Sequence, residues 1–330
     1  MVKKMVTLWV LCCFLFVGCG DEEEITLNLS YGERTGTYSG ELVDGVPNGE
    51  GTFTSENEDG EEWTYEGEFK NGHFEGKGKV TWENGHIEEG TFKDDVIVPI
   101  KGKELKTLFT TPENFKNNCI EVIGKVFAEP EYDEDGVGIQ IFADYKNHEN
   151  GLLVIIPDKD FEVENGDYVK IVGIVGDVYE GQNIFGNTLS FPTVVAKEYS
   201  VLSYKDATAP TKKTIDVNET QTQLGYSITV QKVELAETET RVYLKVDNQG
   251  KAVFRVYGFN AQIVQNGRQF DEQSNWGSDY PEVQSELLAG AYTEGIITFP
   301  PLKEDKFSLH LQASSGDWNE DIETYIFNIK

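Results

Sequence analysis

Tyr38-Ser39-Gly40-Glu41-Leu42-Val43-Asp44-Gly45 returns twenty-seven residues later as Tyr65-Glu66-Gly67-Glu68-Phe69-Lys70-Asn71-Gly72. Gly49-Glu50-Gly51 returns at the same interval as Gly76-Lys77-Gly78. A third copy, Glu88-Glu89-Gly90-Thr91-Phe92-Lys93-Asp94-Asp95, follows after a further twenty-three residues and then stops. The four extra residues of the first interval fall in a longer acidic loop between Glu56 and Thr64. A fixed period of this length marks a repeat architecture. Each copy alternates apolar and polar residues, and the first two end on Asp-Gly or Asn-Gly, the dipeptides that tolerate the positive φ angles of a two-residue hairpin turn. The repeated unit is therefore expected to be a β-hairpin stacked on its neighbours. Glycines would sit where one hairpin lies close over the next, with Phe53, Phe69, Trp82 and Phe92 filling the space between.

A tyrosine, a glycine two positions on, a turn glycine and then paired glycines resemble the MORN repeat, the membrane occupation and recognition nexus, in about two and a half copies. The resemblance implies a twisted sheet used as a spacer, an interaction platform or a lipid-binding surface. The last of these needs basic residues. Residues 36–95 carry only Lys70, Lys77, Lys79 and Lys93 against sixteen acids, which argues against binding anionic lipid.

The N-terminus has a different character. Lys3 and Lys4 precede an apolar run from Met5 to Gly18, the layout of a secretory signal too short to span a bilayer stably. Leu15-Phe16-Val17-Gly18-Cys19 resembles a bacterial lipobox, with Phe16 where that family usually has leucine. The resemblance implies that residues 1–18 are removed, that Cys19 is acylated, and that the lipid holds the chain on the extracellular face of the cell membrane. The alternatives are an uncleaved anchor and a soluble secreted product. Residues 19–30, with the acidic run Asp21-Glu22-Glu23-Glu24, are expected to be a tether.

Of the 330 residues, 58 are acidic and 28 basic, a net charge of −30. That length suits two or three domains, and every part of the chain is acidic. Nucleic acids bind chiefly through Lys and Arg on phosphates, so no nucleic-acid partner is expected. Cys12, Cys13 and Cys19 lie in the signal region, leaving Cys119 as the one remaining cysteine. No disulfide can staple a domain. Cys119 opens an apolar alternation and reads as a core residue, since a catalytic thiol needs an electropositive setting and a histidine partner.

Residues 100–200 carry five strand-like stretches, near 119–127, 138–143, 152–156, 168–175 and 193–199, after Thr111-Pro112-Glu113, which reads as a helix N-cap with proline at N1. Five short strands in that space suit a small barrel. The run from Pro112 through Gly124 to Val126, with Asn165-Gly166-Asp167 and Phe191-Pro192-Thr193, resembles a bacterial OB-fold domain of the anticodon-binding-like kind. OB-folds that hold single strands pair a basic groove with stacking aromatics, whereas here nine lysines face eighteen acids over residues 101–200. Residues 201–213 read as a linker. Residues 214–330 return to period-two strands, near 225–235, 241–246, 252–259, 295–299, 307–312 and 325–329, which suggests a two-sheet sandwich. Val242-Tyr243-Leu244-Lys245-Val246, Asn266-Gly267 and the run from Gly295 to Leu302 resemble the telokin-like, immunoglobulin-like domains at the ends of Gram-positive lipoproteins. That family implies fold and context, with no assigned chemistry.

The sequence offers no constellation for catalysis and no cofactor cradle. His73, His86, His148 and His310 are scattered, without metal or nucleophile spacing. His73 and His86 flank the turns of adjacent repeats and are candidates to share one sheet end. Glu56–Glu62 and Asp133–Gly136 collect oxygens near a glycine but lack the twelve-residue calcium-loop spacing. Trp63, Trp276 and Trp318 sit in polar surroundings, where exposure would favour a protein or sugar contact. The expectation is an all-β chain: MORN hairpins over 31–99, an OB-type barrel over 100–200 and an immunoglobulin-like sandwich over 214–330. Its expected role is that of a non-enzymatic interaction module or spacer with a protein partner, or alternatively an envelope glycan or cation binder.

Overall fold

The computed structural model describes residues 22–182, 188–274 and 278–330. The expected signal segment with Cys19, and Trp276, lie outside these residues. The chain is all-β and divides into two compact units, one taking the chain to Gly166 with Lys170–Tyr199, the other Asp167–Val169 with Ser200–Lys330.

In the first unit β1 (Glu23–Leu29), β2 (Gly32–Val43), β3 (Val46–Glu56), β4 (Glu62–Lys70), β5 (His73–Trp82), β6 (Ile87–Lys93) and β7 (Val96–Val98) form one seven-stranded sheet in sequence order. The hairpins therefore join edge to edge instead of stacking, because each strand's backbone N–H and C=O groups find partners by extending the ladder. The expected tether is also corrected. Residues 23–29 form an edge strand, since Ile25, Leu27 and Leu29 alternate with polar residues and the sheet already supplies a core for them. The turns are as the dipeptides require: Asp44 and Gly45, Asn71 and Gly72, and Asp94 and Asp95 all have positive φ.

The glycine spacing has a cause that sequence reasoning placed differently. Gly40 faces Gly51 across β2 and β3, and Gly67 faces Gly78 across β4 and β5. Each pair lies under a tyrosine of its own repeat. A Cβ on Gly51 would lie 2.5 Å from Tyr38 Oη, and one on Gly78 only 2.4 Å from Tyr65 Oη. The buried hydroxyls then donate to the Glu41 and Glu68 carbonyls at 2.9 and 3.0 Å. The motif thus clears a floor for a tyrosine ring and gives its hydroxyl an acceptor.

The same unit holds β8 (Cys119–Val126), β9 (Glu131–Tyr132), β10 (Val137–Asp144), β11 (Glu149–Ile156), β12 (Tyr168–Gln182) and β13 (Thr188–Leu202). The order β11-β13-β12-β8-β10, closed by β10 on β11, makes a five-stranded barrel with β9 as an appendage. Strands β11 and β13 run parallel. Cys119, Val172 and Ile174 of the barrel share one core with Tyr38, Tyr65, Phe69 and Phe92 of the sheet. Isolated bridges join Glu89 to Asn118 and Ile100 to Ile120. The expected helix after Thr111 is a 3-10 turn, Pro112–Phe115, and Thr111 does not cap it. The Thr111 hydroxyl donates instead to the Thr107 carbonyl, 3.1 Å away.

The second unit begins with a short helix, Tyr204–Thr208, capped by Ser203. Its strands are β14 (Thr211–Gln223), β15 (Tyr226–Ala236), β16 (Thr240–Asn248), β17 (Phe254–Val256), β18 (Gln262–Gln265), β19 (Arg268–Asp271), β20 (Glu286–Leu287), β21 (Tyr292–Phe299), β22 (Phe307–Leu311), β23 (Ala313–Ser315) and β24 (Tyr325–Ile329). They form the sheets β14-β15-β16-β21, β20-β17-β23 and β19-β18-β22-β24 around one core that includes Ile228, Leu244, Phe254, Leu309 and Phe327. Arg241, fully buried at the end of this core, donates to Glu234, Glu239, the Ala209 carbonyl and Thr211. A buried guanidinium needs that many acceptors to offset its lost hydration.

Candidate functional site

The first unit has a half-open pocket of about 330 Å³. Its walls come from the repeat sheet: Trp63 from β4, Phe74, Val80 and Trp82 from β5, Phe92 from β6 and Ile97 from β7. Alternate residues of a strand share a face, so the period-two pattern of the repeats places these rings together. The rings are ordered against one another. Trp63 meets Phe74 edge-on with centroids 6.1 Å apart, and Phe74 stacks on Tyr65 at 3.9 Å.

The rest of the enclosure comes from the first hairpin and the barrel. Leu27 and Leu29 enter the core of the sheet, and the turn that follows them brings Tyr31 and Arg34 to the cavity. Asp95 fixes this turn. One oxygen accepts from Ser30 N and His73 Nδ1 at 2.7 and 2.8 Å, and the other accepts from Phe74 N at 2.7 Å. Asp95 stands where the two earlier repeats have glycine, at φ +71° and almost fully buried. A non-glycine residue in the left-handed region is strained. Here three donors on the carboxylate offset that strain. Partial burial and the Asp95 carboxylate push the Tyr31 phenol above its ordinary value, against the opposing pull of Arg34. The Arg34 guanidinium lies 5.7 Å from the Tyr31 ring centroid.

On another side Lys197 of β13 donates to both oxygens of Glu88, at 2.8 and 2.7 Å. His86 Nε2 stands 3.4 Å from the same carboxylate. Among the described residues, the indole Nε1 of Trp82 is shut away from solvent with no acceptor. A buried donor left without a partner costs about 1–3 kcal/mol, and such a group in a native fold calls for an explanation.

The residues singled out from the sequence are distributed as follows. Cys19 lies outside the described residues. His73 and His86 do not share a sheet end. They start and follow β5 at its two extremities, and each faces its own carboxylate. Trp63 is corrected from a polar loop to a core position, because its strand is buried on that face. Trp318 is 91 % exposed. Burial pushes the Cys119 thiol up to about 11, against the opposing charge of Lys197. Asp133 Oδ1 accepts from the amides of Asp135 and Gly136, and Asn57 Oδ1 from those of Asp59 and Glu61, so both acidic loops are closed by their own side chains. Among the described residues no group of three His, Cys, Asp or Glu is placed to hold a metal ion. Sequence reasoning missed Asp95, Glu88, Lys197 and the Trp82 donor as a set. The signal that could have found the first was the third repeat's Asp-Asp, where Asp-Gly belongs.

No curated protein and no solved structure matches the chain. Residues 38–60 and 65–87 match the MORN repeat family. The sheet that forms most of the cavity wall therefore carries two MORN repeats.

Proposed function

We propose that this chain is a lipid-anchored cell-surface protein, held through Cys19, that acts without catalysis as an interaction module or spacer at the cell envelope. The observation that carries the reading is the half-open, largely apolar pocket of about 330 Å³ beside the MORN sheet, rimmed by Tyr31, Arg34, Glu88 and Lys197. The barrel is read as OB-type, supported by its closed five-strand order and the parallel pairing of β11 with β13. The second unit is read as immunoglobulin-like, supported by its antiparallel sheets around one core. Because the barrel and the repeats share a core, recognition falls to the two together, and the partner is a protein or a component of the envelope.

The test is fractionation of Cys19→Ala cells together with cross-linking in intact cells. The variant is expected to leave the membrane fraction or to stay uncleaved, and the unaltered chain is expected to give discrete cross-linked species. Full membrane retention of the variant, with a mature N-terminus elsewhere, would overturn the anchor. A second reading, an envelope glycan or cation binder, draws on Trp318 exposed beside Asp317 and Asp321. A glycan pull-down lost in Trp318→Ala would favour it.

A further inference from the structure

We propose that one end of the second unit is a docking surface for another protein, one that presents an apolar patch set among lysines and arginines. The inference rests on the reading of the chain as an interaction module and adds a surface that the repeat sheet and barrel do not supply. Strand register fixes which connections share this end. Tyr226 pairs with Asn248, Asp247 with Tyr292, and Phe254 with both Leu287 and Ser315. Asn248 Nδ2 also donates to the Leu287 carbonyl at 2.9 Å, tying one sheet to the next. The turn from β14 to β15, the loop from β16 to β17, the turn from β20 to β21 and the loop from β23 to β24 therefore come together. Leu224, Leu288 and Trp318 occupy three of these connections and are 58, 71 and 91 % exposed, and Tyr292, 65 % exposed, opens β21 at the same end. Single exposed apolar side chains are ordinary, whereas several gathered at one end mark an interaction site.

Two features argue that this exposure is kept for contact. Leu224 and Gly225 form a two-residue hairpin turn with φ +53° and +88°, the place where Asn-Gly fits with least strain. A leucine there carries left-handed strain with more than half of its surface in water, and strain that packing does not repay points to function. Trp318, for its part, is held out by a loop with fixed ends. Glu320 accepts from the Tyr226 and Ser315 hydroxyls at 2.7 and 2.6 Å, Asp317 Oδ1 accepts from Asn319 N at 3.0 Å, and Gln223 and Glu323 exchange two hydrogen bonds of 2.9 Å. A large ring on such a loop loses little freedom on binding. Charge then selects the occupant. The connections 224–225, 249–253, 288–291 and 316–324 hold Asp317, Glu320, Asp321 and Glu323 against Lys251 alone. A partner with basic residues around its apolar patch is attracted, and a second copy of this chain, acidic throughout, is repelled. A glycan would leave the two exposed leucines without a contact to make.

The test titrates the full chain with fluorescein-labelled peptides of one length: one of leucine and lysine, one with serine in place of leucine, and one with glutamate in place of lysine. A chitin oligosaccharide is the fourth probe. The leucine–lysine peptide is expected to bind saturably, with the other three at least about ten-fold weaker. Trp318→Ala is expected to weaken it by about ten-fold or more, the loss of an aromatic anchor. Leu224→Asn is expected to weaken it about three-fold and to leave the urea midpoint unchanged or higher, because asparagine suits the turn. A leucine that only supported the fold would lower that midpoint. Phe259→Ala, exposed outside these connections, is the control and is expected to bind as the native chain does. Equal binding of the serine–lysine or leucine–glutamate peptide, unchanged affinity in Trp318→Ala, an equal loss in Phe259→Ala, or oligosaccharide binding lost in Trp318→Ala would each overturn the proposal. No peptide binding with cross-linking in cells intact overturns this surface alone, whereas absence of cross-linked species overturns the interaction reading beneath it.

Discussion

The backbone N–H of Ser30 donates to Asp95 Oδ2 at 2.7 Å, joining the first turn of the repeat sheet to its last across 65 residues. The same carboxylate accepts from Phe74 N through its other oxygen. Asp95→Ala would leave both amides without that acceptor. We expect it to destabilise the first unit by about 1–3 kcal/mol, the cost of leaving the buried Phe74 amide unpaired, with little added by Ser30, which is exposed. Asp95→Gly relieves the backbone at φ +71° yet removes the same bonds, so it is expected to fall between Ala and the native chain. Hydrogen exchange at the Ser30 and Phe74 amides checks this directly. Unchanged protection in Asp95→Ala would mean that the carboxylate does not hold the turn.

Two glycines separate backbone conformation from packing. Gly45 has φ +79° with nothing near its missing Cβ, so Gly45→Ala carries only the strain of the left-handed region, about 1 kcal/mol. A Cβ at Gly78 would meet the Tyr65 ring at 2.4–2.6 Å. Gly78→Ala must therefore move that ring, which also breaks the bond from its hydroxyl to the Glu68 carbonyl, and is expected to cost about 2–3 kcal/mol. Denaturation midpoints of the two variants decide it. A cost at Gly78 no larger than at Gly45 would show that the tyrosine relaxes freely.

The repeat hairpins, their turns and most barrel strands were legible because they rest on period-two alternation and on dipeptides with few backbone choices. What was not legible depended on partners distant in sequence. Residues 23–29 look too acidic to fold until the sheet offers Leu27 and Leu29 a core. Strand β14 is mostly polar with only Ile215 and Val217 as large apolar residues, and it forms as an edge because β15 provides a ladder. The cavity needed Lys197 to meet Glu88, 109 residues apart, which no local pattern encodes. Trp63 and Trp82 had visible identities, but which faces they occupied depended on register.

The second unit carries an acid-sensitive group. Glu234 is almost completely buried, which by itself would raise its pKa, but hydrogen bonds from Lys232, Tyr243 and Thr211 and the charge of Lys205 outweigh this and hold it at about 2. A carboxylate depressed in the folded state contributes stability that is fully present above its unfolded value near 4.5 and is lost as pH falls toward 2. The depression corresponds to roughly 3 kcal/mol at neutral pH, at about 1.4 kcal/mol per unit. We expect the urea midpoint of this unit to drop steeply between pH 4.5 and 2, and Glu234→Gln to flatten that drop while lowering the neutral midpoint. A variant that keeps the native slope would move the acid response to other carboxylates.

The barrel gives the last prediction, which concerns its expected lack of affinity for nucleic acid. A groove that tracks a single strand neutralises several phosphates with free cations, and offers aromatic faces on which bases stack. Several of the barrel's lysines are already engaged. Lys116 pairs with Asp177, Lys170 with Glu121 at 3.2 Å, and Lys197 with Glu88. Phe127 and Phe142 stack on each other at 3.9 Å, which occupies one face of each ring. An isolated barrel fragment would be a poor test, because Cys119, Val172 and Ile174 pack into the repeat sheet and would be stripped bare. The full chain is therefore the right material. We expect no micromolar binding of single-stranded DNA or RNA at physiological salt, and none on modest lowering of the salt. A salt-dependent micromolar affinity that disappears when Lys116, Lys125, Lys146 and Lys170 are changed to glutamate would reverse this reading. It would mean that a strand displaces the acids now holding Lys116 and Lys170, and would move the function toward nucleic-acid capture.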